Sequence, residues 1–180
     1  MTRHIFLTGT KQVGKSTLLK KVLNHFEGRI GGFLTIRTSE FLKTSFSVHL
    51  LPAAEPCRPD KTNLLFICGA PSASSSPNET PRRFDRLGCS ALSDSLQKDL
   101  ILMDELGPHE AEAIRFCQMV FKILDGPVPV FGILQEAASP FLQEIARRPD
   151  VTVIRITREN RDDPELLKQL CSFLPTGSCR

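Results

Sequence analysis

Short apolar runs alternate along this chain with segments in which apolar residues recur every three or four positions. That alternation marks βαβ units and predicts an α/β fold of three layers, a mainly parallel sheet flanked by helices. His4–Thr8 reads as a first strand ending at a glycine, and 15–26 as a helix with Leu18, Leu19, Val22, Leu23 and Phe26 on one face. Segments 32–37 and 44–51 mix apolar and polar positions (Phe33, Leu34 and Ile36; Phe46, Val48 and Leu50). They predict a half-exposed strand pair joined through 38–43.

Residues 63–68 give another strand, followed by a stretch, 69–81, that holds Ser72, Ser74, Ser75, Ser76 and three prolines. That composition predicts a flexible loop reaching to about residue 83. Residues 100–103 are continuously apolar and run into Asp104-Glu105. Segment 110–124 has the helical period, with Ala113, Ile114, Cys117, Val120, Phe121 and Leu124 expected inward. Two more buried strands, 128–134 and 151–157, bracket a helix expected to start at Ser139-Pro140, with Ser as cap and Pro in the first turn. Asp162-Asp163-Pro164 repeats that grammar before a last helix, 165–173. The length of 180 residues suits a single domain, 1–180, with the 69–83 segment as a loop and not a linker.

Chemistry enters at the first turn. Gly9-Thr10-Lys11-Gln12-Val13-Gly14-Lys15-Ser16 fills every fixed position of the G-x-x-x-x-G-K-[ST] phosphate loop, between a strand and a helix that continues with Thr17. Glycines let the backbone fold into a nest of N–H groups aimed at phosphate oxygens, and the helix start adds partial positive charge. Lys15 would neutralise the β- and γ-phosphates, and Ser16 would place its hydroxyl on Mg²⁺. Lys11 is a further cation, read as facing solvent or lying beside the phosphates.

A second motif agrees with the first. Asp104 ends an apolar strand, where ligands bind at the carboxyl edge of open α/β sheets, and can reach the Mg²⁺ directly or through a water. Glu105 is suited to orient or deprotonate an attacking water, with Glu110 next in line. A kinase keeps water away from the transferred group, so a carboxylate at this place favours hydrolysis.

Bulk properties narrow the picture only a little. The 23 basic and 20 acidic residues are scattered, and no Lys/Arg block argues for nucleic acid. No apolar run approaches a bilayer span and none near the N-terminus suits a signal peptide, so the expected place is the cytoplasm. Cys57, Cys68, Cys89, Cys117, Cys171 and Cys179 show no metal-binding or C-x-x-C spacing and read as reduced structural thiols. With no Trp and no Tyr, any aromatic stacking on a ligand falls to Phe or His.

The motifs with their flanks resemble the THEP1-like nucleoside-triphosphatases. The resemblance runs from His4-Ile5-Phe6-Leu7-Thr8-Gly9 through Gly32-Phe33-Leu34-Thr35 and Arg86-Leu87-Gly88. It continues in Asp104-Glu105-Leu106-Gly107 with Glu110 and ends in Thr157-Arg158-Glu159-Asn160-Arg161. It implies a RecA-like P-loop fold and slow, Mg²⁺-dependent hydrolysis of several nucleoside triphosphates to diphosphate and phosphate. It also implies that Thr157, Asn160 and Arg161 lie at the base and ribose, and that Arg86 is a candidate internal arginine finger. The plain alternative for Arg86 is a surface ion pair with Asp85. Thr10-Lys11-Gln12, Pro108-His109 and the 69–81 insert depart from the family pattern.

Two other functions stay in view. A small-molecule or nucleotide kinase would need an acceptor pocket, for which Arg82, Arg83 and Arg86 are the only basic cluster. A nucleotide-dependent switch or accessory protein would couple hydrolysis to a protein partner, which no segment identifies.

Overall fold

The computed structural model describes residues 3–39, 45–54, 57–68 and 79–175. The strands are β1 (His4–Thr8), β2 (Ile30–Thr38), β3 (Phe46–Pro52), β4 (Leu64–Cys68), β5 (Leu100–Leu106), β6 (Val130–Leu134) and β7 (Val151–Arg155). The helices are α1 (Lys15–Leu23), α2 (Glu79–Ala91), α3 (Ile114–Leu124), α4 (Pro140–Ala146) and α5 (Pro164–Phe173). One seven-stranded sheet runs β4-β3-β2-β5-β6-β1-β7. Neighbours from β2 through β7 are parallel, while β3 and β4 add an antiparallel edge.

Period-two alternation splits each central strand between two cores. Ile5 and Leu7 of β1, Leu100 and Leu102 of β5, and Phe131 and Ile133 of β6 pack with Leu18, Leu19 and Val22 of α1 and Leu170 of α5. Phe6, Ile101, Met103 and Leu134 face the other way, onto Phe84 of α2, Phe116 and Val120 of α3, and Leu142 and Ile145 of α4. Each fully buried Leu or Phe is worth roughly 1.5–3 kcal/mol of transfer free energy, so both layers are firmly anchored. His4, fully buried, takes the Val130 N–H on Nδ1 and donates from Nε2 to the Leu124 carbonyl, pinning β1 to β6 and to the end of α3.

The expectation of a loop reaching to about residue 83 is corrected at its C-terminal end. Residues 69–78 lie outside the described residues, but 79–83 already form the first turns of α2, a helix the periodicity did not announce. Its inward face is Phe84 and Gly88, and a Cβ on Gly88 would stand 2.2 Å from the Phe116 ring. A glycine chosen for close helix packing leaves no mark in an apolar pattern.

Helix α3 begins at Ile114 and not at 110, because Pro108–Glu110 is a 3₁₀ turn. Ile114, expected inward, is exposed, and Phe116 and Ile123 take the buried positions. Ser139 precedes α4 as expected, yet its buried hydroxyl makes no capping bond and finds no partner among the described residues. Asp163 does cap α5, accepting from the Glu165 N–H at 2.9 Å. Thr44 and Cys179 lie outside the described residues.

Candidate active site

Three backbone positions shape the first turn. Gly9 and Gly14 hold φ of +136° and +112°, and Gln12 holds +62°, so the loop folds back on itself between β1 and α1. At Gly9 a Cβ would stand 2.4 Å from the Ile156 carbonyl, which only glycine avoids. Helix α1 starts without a side-chain cap and without an acidic residue in its first turn. Its leading N–H groups therefore lack intrahelical acceptors and face outward as an anion site.

Lys15 is buried and donates to the Gly9 and Thr10 carbonyls at 2.7 and 2.9 Å. An ammonium has three donors, so one remains for a phosphate oxygen. Gly9, Thr10, Lys11, Gln12, Gly14, Lys15, Ser16 and Thr17 line a cleft of about 640 Å³, closed on its far side by Arg37, Glu105, Gln135 and Glu136. Val13 turns its side chain into the core and does not line the cleft.

Strand β5 continues past Met103, so Asp104 and Glu105 are strand residues, placed where the β5–β6 register shifts between Met103 and Leu106. Asp104 is buried and accepts from the Ser16 hydroxyl at 3.5 Å. Burial pushes its carboxyl up to about 6, and the adjacent Glu105 charge adds to the rise. A buried carboxylate facing a hydroxyl is a hard-oxygen donor pair that suits Mg²⁺, which takes one or two protein ligands and leaves the rest to phosphate and water. Among the described residues no cluster of three or more His, Cys, Asp or Glu forms a self-sufficient metal cage.

Glu105 is fixed from two sides. Gln135 Nε2 donates to its Oε1 at 2.5 Å, and its own N–H reaches Thr35 Oγ1 at 3.4 Å. Beyond it a second hollow of about 230 Å³ opens, walled by Val48, Leu65, Phe66 and Phe84 and bearing Asp104, His109 and Glu110. Glu110 is buried, accepts the Gly107 N–H at 3.0 Å, and is pushed by burial up to about 7.

At the opposite end, Arg161 joins Gly14, Thr17, Leu18, Lys21 and Asp162 around a hollow of about 220 Å³. Thr157 and Asn160, expected beside it, build the turn instead of lining it. Asn160 Oδ1 accepts from the Thr157 N–H and its Nδ2 donates to the Arg155 carbonyl. Arg161 leans on the phosphate loop through the Val13 carbonyl, at 3.4 Å.

Arg86 is not brought to the cleft. It lies on the exposed side of α2, opposite the packed Phe84 face, and its guanidinium donates to the Thr62 carbonyl at 3.2 Å. The alternative ion pair fails too, since Asp85 accepts from the Phe116 N–H at the start of α3. Sequence reasoning missed Arg37, Thr35 and Gln135. Gln135 follows β6 directly and Thr35 and Arg37 stand late in β2, at the carboxyl edge where such sheets bind ligands, which was the available signal.

The family model described as NTPase matches residues 4–170. The chain is 30% identical to the nucleoside-triphosphatase THEP1 of Thermotoga maritima, over 94% of each protein. It is 26% identical to the mouse cancer-related nucleoside-triphosphatase homolog, over 90% of this chain and 92% of that one. The crystal structure of THEP1 from the hyperthermophile Aquifex aeolicus has the same fold, with a TM-score of 0.72 at 24% identity, covering 96% of this chain and 99% of that one.

Proposed function

This chain belongs to the NTPase family and is a nucleoside-triphosphatase, and on that premise we propose that it hydrolyses nucleoside triphosphates to diphosphate and phosphate, with Mg²⁺ and with broad base preference. The observation that carries the reading is the meeting of Ser16 and Asp104 at 3.5 Å beside Glu105, at the mouth of the phosphate loop. Ser16 and Asp104 would hold Mg²⁺, which supplies charge neutralisation across the β- and γ-phosphates when bound. The loop amides and the free N–H of Lys15 take the phosphate oxygens. Glu105, held by Gln135, orients a water and receives its proton. The water oxygen bonds to the γ-phosphorus, the bond to the bridging oxygen breaks, and that electron pair leaves on the diphosphate.

Broad base preference follows from the Arg161 end. Both ends of the Asn160 amide are engaged in the turn, so they do not read a base edge. Arg161, exposed beside the phosphate loop, would offer a flat guanidinium on which any base can stack. We place the enzyme in the cytoplasm, where its free thiols stay reduced.

The test is phosphate release with ATP, GTP, CTP and UTP, with and without Mg²⁺, next to Lys15→Ala. Comparable release from all four without an added acceptor, lost on chelation and nearly abolished in the folded variant, is expected. Diphosphate formed only with an acceptor alcohol present, its phosphoryl group carried by that alcohol and none released as phosphate, would make the protein a kinase, and normal turnover in Lys15→Ala would refute the site.

A further inference from the structure

Charge would develop on the transferred phosphoryl group across the cleft from Lys15, and among the described residues Arg37 is the only arginine lining that cleft. It sits on β2, whose parallel pairing with β5 sets Leu34 opposite Asp104. The next residue, Thr35, receives the Glu105 N–H. Arg37 stands two residues further along, on the same face of the strand as Thr35. The guanidinium rests over the Phe46 ring, 4.0 Å from its centroid, a contact that steadies an exposed arginine without consuming its N–H donors.

The phosphate cleft and the second hollow share four residues: Ser16, Arg37, Glu105 and Gln135. That shared rim is where the water face of the γ-phosphoryl group would lie. Ser16 serves the metal there and Glu105 the water, and Gln135 fixes Glu105. Arg37 is the one member with positive charge.

We propose that Arg37 is the arginine that stabilises the transition state from within the chain, its forked N–H groups closing on the equatorial oxygens of the γ-phosphoryl group. The role rests on the hydrolysis reading above. As the bond to the bridging oxygen lengthens, charge spreads over those oxygens, and a donor pair placed on the rim meets it there and not on the bound diphosphate. Arg86 lines neither hollow and does not share this position.

The experiment compares unaltered protein, Arg37→Ala, Arg37→Lys and Arg86→Ala. It measures phosphate release, ADP affinity, and capture of ADP with aluminium fluoride, a mimic of the planar phosphoryl group. Arg37→Ala should lose about 10³-fold in kcat, the lower range for a lost arginine finger, with ADP affinity held within about twofold and aluminium fluoride capture lost. Arg37→Lys should recover only part of the rate, because it keeps the charge and loses the fork. Guanidinium ion added to Arg37→Ala should raise its rate, a rescue that a merely structural arginine does not give. Normal kcat in Arg37→Ala overturns the proposal, as does a rate loss matched by an equal loss of ADP affinity, or a loss in Arg86→Ala instead. If the unaltered protein releases no phosphate, the hydrolysis reading falls with it. If it does and Arg37→Ala keeps pace, only the arginine's role falls.

Discussion

The Ser16 hydroxyl meets the Asp104 carboxylate at 3.5 Å, joining the start of α1 to the end of β5 across 88 residues of sequence. Strand β6 alone lies between β5 and β1 in the sheet, so the two motifs converge because the strand order brings their carboxyl ends together. A hydroxyl and a carboxylate at that spacing bracket a small hard cation without closing around it.

Asp104→Asn should therefore keep the shape of the site and lose its charge. We expect the Mg²⁺ concentration for half-maximal turnover to rise about tenfold or more, with nucleotide binding in the absence of metal little changed. A magnesium titration of phosphate release decides this, and an unchanged midpoint would remove Asp104 from the metal.

Glu105→Gln should bind ADP normally and hydrolyse on the order of 10²-fold more slowly, the usual scale for a lost general base. The Gln135 amide would still find an oxygen at position 105, so the local geometry survives the change. Single-turnover phosphate release reports the chemical step directly. Normal turnover would pass the water to Glu110, which borders the same second hollow.

Much of this arrangement was legible in the residues, and the exceptions share a cause. Strand β1 was bounded correctly because a buried run stops at a glycine that the turn requires. Strand β5 was cut short at Met103, since charged residues look like a loop, yet the carboxyl end of a parallel strand opens to ligand and tolerates them. The start of α3 was misplaced because its cap is Asp85, a residue of α2 that donates nothing to the local pattern. Arg86 and Arg37 could not be told apart from sequence. Which guanidinium reaches the cleft depends on the rotation of α2 about Phe84 and Gly88 and on the pairing of β2 with β5.

Gly9→Ala tests whether the loop needs its backbone shape and not only its charges. The added methyl would stand 2.4 Å from the Ile156 carbonyl at a φ of +136°. Either cost alone is of the order of 1–3 kcal/mol, so the loop must shift or the β1–β7 pair must part. We expect a melting temperature lower by several degrees and nucleotide binding weakened by at least tenfold. Calorimetry and ADP titration on the same sample check it, and wild-type values in both would show that the loop tolerates a side chain there.

Glu110 makes the stability of the nucleotide-free protein depend on pH in an unusual sense. Burial lifts its carboxyl from 4.5 up to about 7 in the folded state, the Glu105 charge adds to the lift, and the Gly107 N–H opposes it. Below about pH 4.5 both folded and unfolded chains hold the proton, so this group contributes nothing to the balance. Between 4.5 and about 7 the unfolded chain has released it while the folded chain retains it, and stability falls as pH rises through that window. The full penalty stands above pH 7, as much as about 3 kcal/mol at 1.36 kcal/mol per unit. Glu110→Gln keeps an acceptor for the Gly107 N–H and removes the titration. The variant should match the unaltered protein near pH 4.5 and gain on it steadily up to about pH 7, levelling off beyond. Urea unfolding at a series of pH values, without nucleotide or Mg²⁺, measures that difference. A gap independent of pH would mean that Glu110 titrates alike in the folded and unfolded chains and that its burial does not raise it.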